Sequence, residues 1–213
     1  MASKVKYQLN LRGIFNRAFS DKSAGVRRQL LPIISRPEFK RVVGQRVINE
    51  IVKRTTELNI DKNDIPFTGY STSYKESDNF AIYGKNEGKV DLKLTGEMHS
   101  SMVSVEKFGA NIQIEFVDQF NNDKAHGHIN GTRTKAGKKL LPIRDFFGLP
   151  KEAEEAIIKQ TVLDQSGGAG EFDVDLLLSQ LQVFSSSSSF SSPLVVATEA
   201  TFSDVLSEGL SGN

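Results

Sequence analysis

The 213-residue chain contains no cysteine and no tryptophan. Without thiols it can build no disulfide scaffold, no thiolate zinc site and no cysteine nucleophile. No apolar run approaches the roughly 18–20 residues that a membrane-spanning helix requires. The first fifteen residues, Met1 to Phe15, also lack the apolar stretch of a secretory signal. Synthesis in a cytoplasm, with no membrane partner, is therefore expected. Basic residues are missing from one place only: residues 171–213 carry six Asp and Glu and no Lys or Arg.

That local absence belongs to a gradient. Residues 1–60 carry 13 Lys and Arg against 4 Asp and Glu, and residues 61–170 carry 14 against 16. The formal net charge of +1 thus conceals a basic start and an acidic end, a pattern typical of segments that meet other chains or nucleic acid.

Residues before 35 form a short apolar-basic stretch with Leu11, Ile14, Phe15 and Phe19. Ser35-Arg36-Pro37-Glu38 then reads as a capping box with proline in the first turn. Phe39, Val43, Val47 and Ile51 recur every fourth residue, with Val42, Ile48, Thr55 and Leu58 beside them, so a long amphipathic helix is predicted over 35–58. A loop follows from Asn59 to Gly69, then a polar Ser-rich stretch over 70–87 with an apolar patch at Phe80-Ala81-Ile82-Tyr83. Leu92 and Leu94 predict a short extended piece, and Met98 and Met102 a helical turn starting at Thr95 or Gly96. Asn111–Val117 alternates polar and apolar residues, which predicts a strand with Ile112, Ile114 and Phe116 on one face and a hairpin partner in 101–107.

The stretch 121–139 is polar and glycine-rich, and is expected to be a long projecting loop. Arg133, Lys135, Lys138 and Lys139 in it could touch a phosphate backbone without reading bases. Leu141, Pro142, Ile143, Arg144, Phe146 and Phe147 form the densest motif. Proline there favours an edge position, and the two phenylalanines could serve ordinary core or an inter-subunit contact. A helix over 151–163 follows, with Ala153, Ala156, Ile157 and Leu163 available for burial. The last 43 residues hold 11 Ser together with Leu176-Leu177-Leu178 and Leu194-Val195-Val196. They read as a tail that orders against a partner. The expected fold class is α+β: a small, mostly antiparallel sheet packed by a long N-terminal helix and a C-terminal helix over 1–170, with an extended acidic tail over 171–213.

Few arrangements point to chemistry. His126 and His128 would project from one face of an extended segment, with His99 or Asp123 as further ligands of a metal-dependent hydrolase, but nothing in the sequence fixes a third ligand. There is no Gly-x-Ser-x-Gly motif, Walker loop or dinucleotide fingerprint. No enzyme and no cofactor is expected.

Three segments in order carry a family resemblance: Lys93-Leu94-Thr95-Gly96-Glu97-Met98; Ala125-His126-Gly127-His128; and Leu141-Pro142-Ile143-Arg144-Asp145-Phe146-Phe147-Gly148-Leu149 before an acidic helix. Over about residues 65–163 the chain resembles the tailed-bacteriophage virion-morphogenesis, or tail-completion, proteins of the virion neck. Their pattern has a Leu-Thr-Gly turn, a Tyr-Ala-x-x-His stretch and a Leu-Pro-x-Arg-x-Phe-Leu-Gly-Leu motif. Here Lys124 stands in place of the tyrosine and Phe147 in place of the leucine. The resemblance implies a non-catalytic subunit that assembles with itself as a ring, meets portal, adaptor or stopper proteins and tail-tube or terminator proteins, and touches genomic DNA transiently in the channel. A virion assembled in the host cytoplasm is the implied location. From the charge alone, a non-specific nucleic-acid-binding module using the basic N-terminal region is the alternative.

Overall fold

A computed structural model describes residues 3–92, 95–133 and 139–166, without the side chains of 132, 133 and 139–141. All of these residues fall within one unit of the chain, Met1–Val174. The order begins earlier than the sequence pattern predicts. Strand β1 (Lys6–Asn10) runs directly into helix α1 (Leu11–Ala18), because the Asn10 side chain caps α1 by accepting from the Gly13 N–H at 3.0 Å. Helix α2 (Ala24–Leu30) is capped by Ser23, and a 3₁₀ turn (Ile33–Ser35) precedes helix α3 (Pro37–Lys53), which continues into a π turn (Arg54–Leu58).

The long helix is thus where the periodicity places it, and Phe39, Val43, Val47 and Ile51 are fully buried. The capping box is not formed. Ser35 ends the 3₁₀ turn, Arg36 occupies the cap position, and no side chain bonds there. Proline at the first helical position leaves one fewer amide to cap. The π turn has a local cause. The Thr55 and Thr56 hydroxyls donate back to the carbonyls of Ile51 and Val52, each at 2.8 Å, and such back-bonding competes with the regular ladder.

The short helices α4 (Thr72–Lys75), α5 (Asp78–Ile82) and α6 (Glu97–Ser100) follow, the last entered through Gly96 at φ 86°. Strands β2 (Met102–Lys107) and β3 (Asn111–Phe116) form the expected hairpin. The sheet is antiparallel in the order β1-β3-β2, with Leu9 opposite Ile112 and Val105 opposite Gln113. Helix α3 packs on β2 and β3, and α8 (Lys151–Gln165) packs on α1 and α3. The architecture is α+β, as expected.

Two expectations are corrected. Residues 121–130 are not loop: they lie in helix α7 (Gln119–Asn130), capped by the Asp118 carboxylate accepting from the Asn121 N–H at 2.8 Å. After Gly131, β4 (Thr132–Arg133) and β5 (Lys139–Leu141) pair as a two-stranded ribbon with Arg133 opposite Lys139. Lys135 and Lys138, Leu94, and the tail over 171–213 lie outside the described residues. The α8 burial face also differs. Ile158, Thr161 and Val162 are buried, while Ala156 is exposed and Ala153, Ile157 and Leu163 are half-buried. The doublets Ile157-Ile158 and Val162-Leu163 fit either phase. Polar ties choose between them: Arg46 donates to the Thr161 hydroxyl at 3.0 Å and pairs with Asp164, and Arg17 bridges Glu154 and Glu155 at 2.9 Å each. Among the described residues no helix is long and apolar enough to cross a membrane.

Candidate functional site

The three segments singled out in the sequence meet in space. Helix α7 presents His128, whose carbonyl accepts the Arg144 N–H at 2.7 Å. The Phe146 ring lies between two imidazoles, its centroid 6.5 Å from those of both His99 and His128 in edge-on contact. Thr95 and Gly96, from the Leu-Thr-Gly turn, line a cavity of about 210 Å³ together with Met98, His99, Lys124 and His128. The knot therefore draws on α6, α7 and the segment before α8, and it closes over the end of α3, where the Thr55 hydroxyl lies 3.1 Å from His99 Nε2.

Arg144 is the electrostatic centre. It is 6% exposed, and its guanidinium has no carboxylate partner among the described residues. It donates to the Thr68 carbonyl at 3.3 Å and sits 5.9 Å from the Tyr70 ring centroid, a cation–π arrangement. Among the described residues its Nε has no hydrogen-bond partner, nor has His128 Nδ1. Burial lowers the Arg144 pKa. For His128, burial, then the Arg144 charge and then His99 push the pKa down to about 4, so the imidazole is neutral near pH 7. Burial and the Asp91 carboxylate push Tyr70 up to about 12. Its hydroxyl donates to the Asp91 carbonyl at 3.0 Å and accepts the Asp91 N–H at 3.1 Å, which ties the Tyr70–Tyr74–Phe80 ring cluster to the knot.

The Thr55–His99 pair has a hydroxyl beside an imidazole, as nucleophilic catalysis requires, but Thr55 is fully buried and its hydroxyl also bonds the helix carbonyls of Ile51 and Val52. The proposed histidine pair is undone by α7. Two residues apart on a helix means about 200° of rotation, so His126 and His128 point to different sides. Among the described residues no group of three or more His, Asp or Glu could hold a metal ion.

The candidate interface residues are divided by the fold. Arg144, Phe146 and Phe147 are buried within the subunit, the ordinary-core alternative of the two: Phe147 packs on Phe116 at 4.9 Å. Pro142 is half-buried, and Ile143 remains exposed. The side chains of Leu141, Arg133 and Lys139 lie outside the described residues. Sequence reasoning missed Thr55 and Tyr70 as members of the knot. His99, between Met98 and Met102, entered that reasoning only as a possible metal ligand beside His126 and His128.

Comparison with known protein families, with curated proteins and with solved structures gives no match for this chain.

Proposed function

We propose that the chain is a structural subunit of the neck of a tailed phage, forming a homo-oligomeric ring that joins the head and portal to the tail and lines the DNA channel. One observation supports this reading most. The segments that carry the resemblance converge on a single knot, in which Arg144, His128 and Phe146 pack together and the Thr95-Gly96 turn lies at its edge. A motif spread over fifty residues and spent on holding three elements together is what a scaffold-forming subunit requires. The β4–β5 ribbon, with Arg133 opposite Lys139, supplies a basic arm suited to the channel or to a neighbouring ring.

The test is complementation of assembly. Without this chain, heads and tails should accumulate unjoined, and added purified protein should join them. Complete particles formed in its absence would overturn the proposal.

A second reading, a non-specific nucleic-acid-binding module, draws on one observation. Arg12, Arg28, Arg36 and Arg41 are exposed and have no carboxylate partner among the described residues. Duplex DNA binding by the isolated subunit that weakens steeply with salt would favour it. No binding at low salt would remove it.

A further inference from the structure

The β2–β3 ribbon ends in two unlike surfaces. At its tip Phe108 is 100% exposed. It is not loosely held: the Asn111 side chain donates to the Phe108 carbonyl at 2.9 Å, and Gly109 turns the chain at φ 69°. Beside it Lys107 is exposed and has no carboxylate partner among the described residues, since neighbouring Glu106 faces Lys40 at 3.8 Å. The tip is thus one aromatic ring and one cation.

At the other end lies a shallow groove of about 570 Å³ between α6 and α7, lined by Glu97, Ser101, Val117, Asp118 and Phe120 among others. Val117 and Phe120 are 67% and 65% exposed. The Lys124 ammonium sits 4.0 Å above the Phe120 ring and holds it in place. The groove carries two carboxylates, Glu97 and Asp118, against one cation at its edge, Lys124, which also lies 3.7 Å from Glu97, so the surface there is acidic overall. Strands of six residues at about 3.4 Å per residue separate the two ends by about 20 Å, so a tip cannot reach its own groove.

We infer that the groove receives Phe108 of a second copy of this chain, with that copy's Lys107 against Glu97 and Asp118. Each copy offers one tip and one groove at opposite ends of a stiff ribbon. Contacts of this head-to-tail kind close into rings or continue as filaments. The inference deepens the neck reading, because a ring requires such a contact, and it names where copies meet. A buried phenylalanine covers on the order of 150–250 Å², so Phe108 is the anchor and the flanking ribbon supplies the remaining area.

The experiment is sedimentation of the full chain over a concentration series. Wild type should associate, and Phe108→Ala should raise the dissociation constant at least about tenfold without altering the melting temperature. Lys107→Glu should weaken association, and adding Glu97→Lys should restore it. Mixing Phe108→Ala with Val117→Glu should stop assembly at 1:1 pairs, because only one tip and one groove remain. Wild type monomeric throughout, or Phe108→Ala associating like wild type, would overturn the contact. If Phe108→Ala associates normally and still joins heads to tails, the contact falls while the neck reading stands. If Phe108-dependent oligomers join no particles, the neck reading falls and the contact stands.

Discussion

Gly44, in the middle of α3, faces the sheet so closely that one methyl group should destabilise the fold. A Cβ built there would lie 2.0 Å from the Ser104 Oγ and 2.5 Å from the Ser104 Cβ. The hydroxyl could rotate away, but the Cβ is fixed to the β2 backbone. Helix and strand must therefore move apart, or α3 must shift along the sheet. Such overpacking costs about 1–3 kcal/mol. Alanine returns about 1 kcal/mol through its better helix propensity. With a Cβ–Cβ approach this short the cost lies at the upper end, so Gly44→Ala should lose about 1–2 kcal/mol net. In a domain of this size that lowers the melting temperature by about 2–8 °C. Urea unfolding followed by far-ultraviolet circular dichroism reads it directly. Ser104→Gly should rescue the variant, because the next neighbour, Ile112 Cδ1 at 3.8 Å, is in ordinary contact. The double-mutant cycle should show coupling of about 1 kcal/mol or more. Gly44→Ala as stable as wild type, or no coupling to Ser104, would refute the close packing of α3 on β2.

Two further outcomes follow from the knot and its surroundings. His128 has a folded pKa of about 4 against an ordinary 6.5, so the unfolded chain binds the extra proton between those values. Its contribution is complete above pH 6.5 and is lost as pH falls toward 4, amounting to about 3 kcal/mol. His128→Gln should flatten that part of the stability curve, and an unchanged slope would place the titration elsewhere. The Tyr7 hydroxyl donates to Glu154 at 2.5 Å, linking β1 to α8. Tyr7→Phe should cost about 1.5 kcal/mol in chemical unfolding, because Glu154 keeps its Arg17 partner. No loss would mean that the hydrogen bond contributes nothing net.

Local signals located some elements well. The four-residue recurrence of Phe39, Val43, Val47 and Ile51 specifies both the helix and its buried face, and the alternation through Ile112, Ile114 and Phe116 specifies β3 and its core side. Strand β1 escaped because it is five residues long and its ladder is non-local: Gln8 bonds Gln113, 105 residues away. Helix α7 escaped because its sequence, rich in Asn, Gly and His, has almost no apolar periodicity. Its formation rests on the Asp118 cap and on packing against α6 and β3.

By itself the sequence determined the class of the fold, the absence of any thiol chemistry, the steep charge gradient and the three segments worth comparing, since all of these are properties of composition or short-range order. Only the tertiary structure decided what those segments do. It folded residues 121–130 of a presumed loop into a helix with its two histidines on different sides, placed Phe146 and Phe147 in the subunit's own core, and left Phe108 fully exposed at a fixed tip. Burial depends on which distant residues arrive to cover a side chain, and two phenylalanines alike in composition meet opposite fates for that reason.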